Sequence, residues 1–305
     1  MASSFPQQPQ DNDASASGRP ITSRVVAPGR GAAWWGDGWR MFTAHFATWL
    51  GIALAYIAIS LLLSELGYVG NAAEWLLTPV FVGGIMLGCD AARRGERLRF
   101  SHLFDGFRGQ HFVPLLLVGV FDLALTFGAL VVAIAAGAGG IDISGSSNAL
   151  NVASDPLQTL RAYGFMIFLL TALALVVATV IAMANWFAPA LIVLQDARAA
   201  PAMLASFRAL LRNWAPFLVY GVIGIGISVA ALLAFVVLTA LIGFGTIIAV
   251  LEGSAGWESI GVGLASLGAA FIAFLVVIAM VTFGSTYAGY RDTLAPETSV
   301  PEPPA

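Results

Sequence analysis

Asp122 is the residue with most to explain. It stands in VGVFDLALTFG, about ten residues into a run of apolar side chains long enough to cross a bilayer. A carboxylate at that depth costs about 2.5–3.5 kcal/mol or more, and such residues mark ion paths, proton relays and substrate sites. No Lys or Arg falls at similar depth in another apolar run. Two chemistries fit: a hydrogen bond to a neighbouring helix that holds a bundle together, or a proton- or cation-coupled site. Asn185 is the second polar residue at depth. With Gln195 it flanks Pro189, and the two amides are expected to satisfy carbonyls freed by the proline; a substrate path at that break is the alternative. Thr78 is placed to do the same beside Pro79.

The other chemical cluster is basic. Residues 89–114 read CDAARRGERLRFSHLFDGFRGQHFVP, with five arginines between two apolar runs. Arg93, Arg94, Arg97 and Arg99 are candidate contacts for anionic lipid headgroups, beside the plainer role of fixing membrane orientation. His45, His102 and His111 lack metal-site spacing, and no metal or cofactor is expected. HExxH, GxSxG, Walker and complete GxGxxG motifs are absent, so no catalytic residue is assigned and the chain is read as not an enzyme. The single Cys89, in an apolar run, is read as a buried inert thiol.

Composition says what must position these residues. Apolar residues make up 59% of the 305 and charged residues 10%, far less charge than a soluble domain carries. All fourteen basic residues are Arg, and the net charge of −3 argues against a nucleic-acid partner. Residues 1–33 and 295–305 are rich in small polar residues, Pro or Glu and are expected to be disordered tails. Between them a membrane domain, 34–294, holds six spans at about 46–63, 75–91, 112–136, 163–187, 216–244 and 260–283. The second is short and contains Pro79. The fourth runs on in apolar residues to 194, so a kink is expected near 185–189.

With six spans, thirteen arginines fall on one side and only Arg161 on the other. Short basic loops stay in the cytoplasm, which puts both termini there and the chain in a bacterial inner membrane. The Gly- and Ser-rich stretch GAGGIDISGSSNALNVASD falls on the opposite side as a connector.

Three segments before the first, third and fifth spans are amphipathic at helical spacing: Trp39, Phe42, Phe46 and Trp49; Phe100, Leu103, Phe104 and Phe107; Met203, Phe207, Leu210, Leu211 and Trp214. They are expected to be interfacial helices. Each meets its span in a similar way (HFATWL, HFVPLL, NWAPFL), and the returning spans leave alike (CDAAR, QDARA, YRDTL), which raises a threefold repeat of helical hairpins. Small residues recur every four at Ala47/Gly51/Ala55, Gly84/Gly88, Ala174/Ala178/Ala182 and Gly261/Ala265/Ala269/Ala273, the pattern of close helix contact in lipid.

The stretches GWRMFTAHFATWL, TPVFVGGIMLGCDAARRGERLRFSHLFDGF and NWFAPALIVLQDARAAPAMLASFRALLRNWAPFLVYG resemble an uncharacterised family of six-span proteobacterial inner-membrane proteins. More distantly they are similar to the membrane domain that accompanies some glycerophosphodiester phosphodiesterases. The resemblance implies an inner-membrane helical bundle and carries no catalytic residues. The expected function is non-catalytic: organising the membrane or binding lipid, a protein partner or a second copy of the chain. A transporter or channel for a small solute, with Asp122 in or near the path, is the alternative.

Overall fold

The structure, a computed structural model, describes residues 21–140, 156–254, 256 and 258–296. Among them the chain is all helix: α1 (Arg30–Ala44), α2 (Phe46–Ser64), α3 (Gly67–Arg93), a 3-10 helix (Phe100–Phe107), α4 (Phe112–Gly140), α5 (Pro156–Asn185), α6 (Ala188–Gln195), α7 (Ala199–Arg212), α8 (Trp214–Leu251) and α9 (Glu258–Thr293). Among the described residues six segments are long and apolar enough to span a membrane, as the sequence leads one to expect.

Burial divides the molecule in two. The fully buried large side chains, among them Trp34, Trp49, Phe187, Leu191 and Tyr287, gather where α1, the 3-10 helix, α6 and α7 meet the nearby ends of the spans. This is the end that carries the described arginines other than Arg161, which lies near the far end of α5. Away from it the spans are barely covered, and they touch as α2 on α3, α3 on α4, α4 on α5 and α8 on α9. The most apolar window of α8 has none of its residues buried, and that of α5 has 6%. Leu232, Leu233, Val236 and Leu241 are each about half exposed or more. In water such surface would cost about 25 cal/mol per Å²; a bilayer removes that cost. The chain is therefore a multi-pass membrane protein.

Several span boundaries move, and the helix of the fifth span runs on from 244 to Leu251. The second span is not short: α3 starts at Gly67 and has 27 residues. Glu74 interrupts the apolar pattern there, but Ser60 donates to its carboxylate at 2.6 Å, so the helix carries it. The sixth continues past 283 to Thr293, because Tyr287 and Tyr290 are buried in the packed end. The expected break in the fourth span is present: α5 stops at Asn185, two residues turn, and α6 begins with Pro189 in its first turn. Residues 21–33, expected to belong to the N-terminal tail, are ordered against the rest of the chain. Arg24 donates to the carbonyls of Arg291 and Asp292, and α1 has already begun at Arg30. Leu294 and Ala295, at the expected start of the C-terminal tail, are buried. Residues 1–20, 141–155 and 297–305, which include most of the Gly- and Ser-rich connector and of the expected C-terminal tail, lie outside the described residues.

The segments expected at the interface are folded onto the spans. The 3-10 helix packs along α3, with Leu103 fully buried. Gly84 and Gly88 make this possible: a Cβ on Gly84 would overlap the His102 carbonyl, and one on Gly88 would meet Leu98 at 2.8 Å. The GxxxG pair thus receives a loop of its own chain. In α7 the buried face is Ala202, Met203, Ser206, Ala209 and Leu210, whereas Leu211 and Trp214 are exposed.

The packing of these three segments follows one rule. Each lies on a returning span: α1 on α9, the 3-10 helix on α3, α7 on α5. Gly38 of α1 sits against the Val281 carbonyl and the Ser285 amide; Gly106 sits against the Val80 carbonyl and the Gly84 amide. Ser206 of α7 sits between the Met183 carbonyl and the Phe187 amide. Each pair is a carbonyl and the amide four residues later. The three small residues open Gly-Trp-Arg, Gly-Phe-Arg and Ser-Phe-Arg. That short signal was readable in the sequence, and periodicity alone passes over it because glycine has no side chain to score.

Candidate functional site

Asp122 is the eleventh residue of α4, about 15 Å along it at 1.5 Å per residue. Asn185 is the last residue of α5. The two meet: the Asn185 amide Nδ2 donates to Asp122 Oδ2 at 2.5 Å across 63 residues of sequence. The break that ends α5 leaves this side chain at its terminus. The Oδ1 atoms of both residues are covered and have no hydrogen-bond partner. Among the described residues Asp122 enters no ion pair. The pair is thus under-satisfied: two acceptor oxygens, buried in an apolar setting, lack donors.

It also stands at a cavity. A space of about 640 Å³ opens between α3, α4 and α5, lined by Trp75, Thr78, Pro79 and Val82 on α3, by Asp122, Thr126 and Ala133 on α4, and by Leu170, Leu173 and Ile181 on α5. Ala174, Ala178 and Ala182 line it as well. This stripe of small residues faces the space and makes room for it. Thr78, Thr126, Asp122 and Asn185 are the polar residues in a wall that is otherwise aliphatic apart from Trp75. Volumes of about 300–1,000 Å³ with an apolar lining and a few polar groups are usual for small-molecule sites. Proline bears on the cavity from two sides, Pro79 inside α3 and Pro189 at the start of α6.

The carbonyls near the breaks are satisfied otherwise than expected. At the α5 break the Ser206 hydroxyl donates to the Met183 carbonyl at 2.8 Å and accepts from the Phe187 amide at 3.0 Å. It replaces a helical hydrogen bond by a bridge from α7. Asn185 is thereby left for Asp122. Gln195 donates to Tyr290 Oη and to the Leu294 carbonyl, both at 2.9 Å, tying α6 to α9. Thr78 donates to the Glu74 carbonyl, one residue before the Trp75 carbonyl that Pro79 frees.

No family model, curated protein or solved structure matches this chain. Its function has to be read from its own geometry.

The arginines divide. Arg93 donates to Tyr287 Oη at 2.9 Å and lies 3.4 Å from Asp90, and Arg94 reaches Asp90 at 3.1 Å and Glu96 at 3.2 Å. Tyr287 in turn donates to Asp90 at 2.6 Å. Arg93 and Tyr287 thus hold the end of α3 to α9, Arg94 pairs only with residues of its own segment, and Arg94, Arg97 and Arg99 are all exposed. Sequence reasoning missed the equivalent centre at Asp292, which accepts from Arg30 and from the indole of Trp34, both at 2.7 Å. The histidines stand apart from one another. His111 lies 2.9 Å from Asp196, and His102 Nδ1 accepts from the Arg99 amide at 3.1 Å. Burial pushes His102 below its ordinary value, Asp105 and Glu96 opposing and Arg99 adding to the effect. Among the described residues no three His, Cys, Asp or Glu side chains gather as metal ligands would.

Proposed function

We propose that this chain is a non-catalytic protein of a bacterial inner membrane that binds a membrane-resident apolar molecule, a lipid or lipid-like ligand, between α3, α4 and α5. The observation that carries this reading is the 640 Å³ cavity with aliphatic walls that ends on the Asp122–Asn185 pair. A soluble polar substrate would gain little from such walls, whereas a chain already dissolved in the bilayer enters without leaving an apolar medium. The 13:1 division of arginines supports cytoplasmic termini. Exposed Arg97 and Arg99 are offered as contacts for anionic headgroups. The shared packing of Gly38, Gly106 and Ser206 supports three equivalent units, each a helix at the membrane border followed by a hairpin of two spans.

Binding of radiolabelled dodecanol to the protein in lipid nanodiscs, with empty nanodiscs as the blank, tests the reading. Wild type is expected to bind above the blank, and Ala178→Trp, which fills the cavity from α5, is expected not to. Equal signals from wild type and blank would sink it.

A second reading has its own observation. Pro189 lines the cavity at the point where α5 is broken, and breaks of this kind serve transport paths. On that reading the chain moves a small solute past Asp122, and Asp122→Asn abolishes uptake of a metabolite mixture by proteoliposomes while the protein stays folded.

A further inference from the structure

The Asp122–Asn185 pair says what kind of molecule the cavity takes, and the inference rests on the reading that the cavity binds an apolar ligand. Three observations bear on the head of that ligand. With the Asp122 carboxyl ionised, both unpaired atoms, Asp122 Oδ1 and Asn185 Oδ1, are acceptors, so the missing partner must donate. Among the described residues no basic side chain lines the cavity, and Asp122 has no ion-pair partner, so any compensating positive charge must arrive with the ligand. The remaining wall is apolar over most of its area, so the rest of the ligand is hydrocarbon.

We propose that the cavity between α3, α4 and α5 selects lipophilic ammonium cations, an apolar chain or ring system ending in a protonated amine that pairs with Asp122. An alcohol of the same length offers one donor and no charge. A primary ammonium offers three donors, enough for both free oxygens, and balances the carboxylate in a medium where an unpaired charge is costly. Both Oδ1 atoms are covered in the unliganded arrangement. The carboxyl torsion of Asp is broad and soft, so rotation about Cβ–Cγ brings Oδ1 into the cavity at small cost. Thr78 and Thr126 add hydroxyls on the facing helices for a head that carries a second polar group.

The test compares dodecylamine with dodecanol, both radiolabelled, on the full-length protein in nanodiscs of uncharged lipid, with empty nanodiscs subtracted. Wild type is expected to hold the amine at least about tenfold more tightly than the alcohol, a difference of about 1.4 kcal/mol. In Asp122→Asn, which keeps the size of the side chain, that ratio is expected to fall to within about twofold. Asn185→Leu serves as a second variant: it removes one acceptor and the amide donor to Asp122 Oδ2 but leaves the carboxylate, so the amine keeps its preference, and a preference lost in this variant but kept in Asp122→Asn overturns the assignment to the carboxylate. Equal affinities in wild type, or a preference that persists in Asp122→Asn, overturns the inference and leaves the apolar cavity standing. Neither probe binding above the blank overturns the apolar-ligand reading itself.

Discussion

The hydroxyl of Ser206 stands where Phe187 would otherwise complete a turn of helix. It accepts from the Phe187 amide at 3.0 Å and passes a hydrogen bond on to the Met183 carbonyl at 2.8 Å. The Phe187 amide and the Met183 carbonyl are therefore both paired where the fourth span stops, and the side chain of Asn185 faces Asp122. Ser206→Ala removes the bridge and leaves both backbone groups unpaired. Its expected cost is about 1–3 kcal/mol, read as a lowered midpoint of thermal unfolding in detergent. An unchanged midpoint would mean that the break is held by something else.

Gly106 and Gly38 hold the corresponding places against Val80 and Val281. Gly106→Ala and Gly38→Ala each push a methyl into a backbone carbonyl that belongs to a packed helix and cannot move aside. Overpacking of this kind costs about 1–3 kcal/mol or more. Gly128→Ala, where a Cβ meets nothing within 4 Å, is the control. Unfolding midpoints that drop for the first two and hold for the third are the expected result, and equal midpoints would remove the case for close helix approach.

His102 makes stability depend on pH. Burial holds its folded-state value below that of the unfolded chain, so between the two the unfolded state binds more protons and stability rises with pH. A proton on Nδ1 also removes the acceptor for the Arg99 amide. Wild type is expected to lose stability as pH falls from about 7.5 to about 5.5, through the ordinary histidine value near 6.5. His102→Asn, which keeps an acceptor close to the backbone, is expected to lose less over the same range. Parallel curves for the two proteins would count against a role for His102.

How much of this was readable beforehand varied with the kind of force involved. Span number follows from hydropathy, and the break after Asn185 follows from a proline in an apolar run too long for one crossing. The depth of Asp122 follows from the same count. Its pairing with Asn185 does not, because contacts across 63 residues depend on how α4 and α5 are rotated. Amphipathic spacing found the 3-10 helix but left its partner open: the pattern Phe100, Leu103, Phe104, Phe107 is apolar enough for lipid, and only the glycines of α3 reveal that protein takes that place. Ala174, Ala178 and Ala182 read as a contact stripe, since a small residue looks the same whether a helix or a void lies opposite.

Asp292 joins the start of α1 to the end of α9. Asp292→Ala leaves the indole N–H of buried Trp34 without its acceptor, at an expected cost of about 1–3 kcal/mol. The Arg30 contact is an ion pair at a partly exposed side chain and is open to screening, whereas the Trp34 donor is neutral and buried. Most of the loss should therefore persist in about 1 M salt, where the Debye length is about 3 Å. A loss that vanishes in salt would assign the effect to the ion pair alone.

The central claim is that a ligand space lies beside Asp122 inside the membrane, and a cryo-electron microscopy map of the chain in lipid nanodiscs at side-chain resolution tests it most directly. The account predicts separate, elongated density between α3, α4 and α5 that reaches the carboxyl of Asp122. Helices closed against one another there, with Asp122 turned to the surrounding lipid, would contradict it.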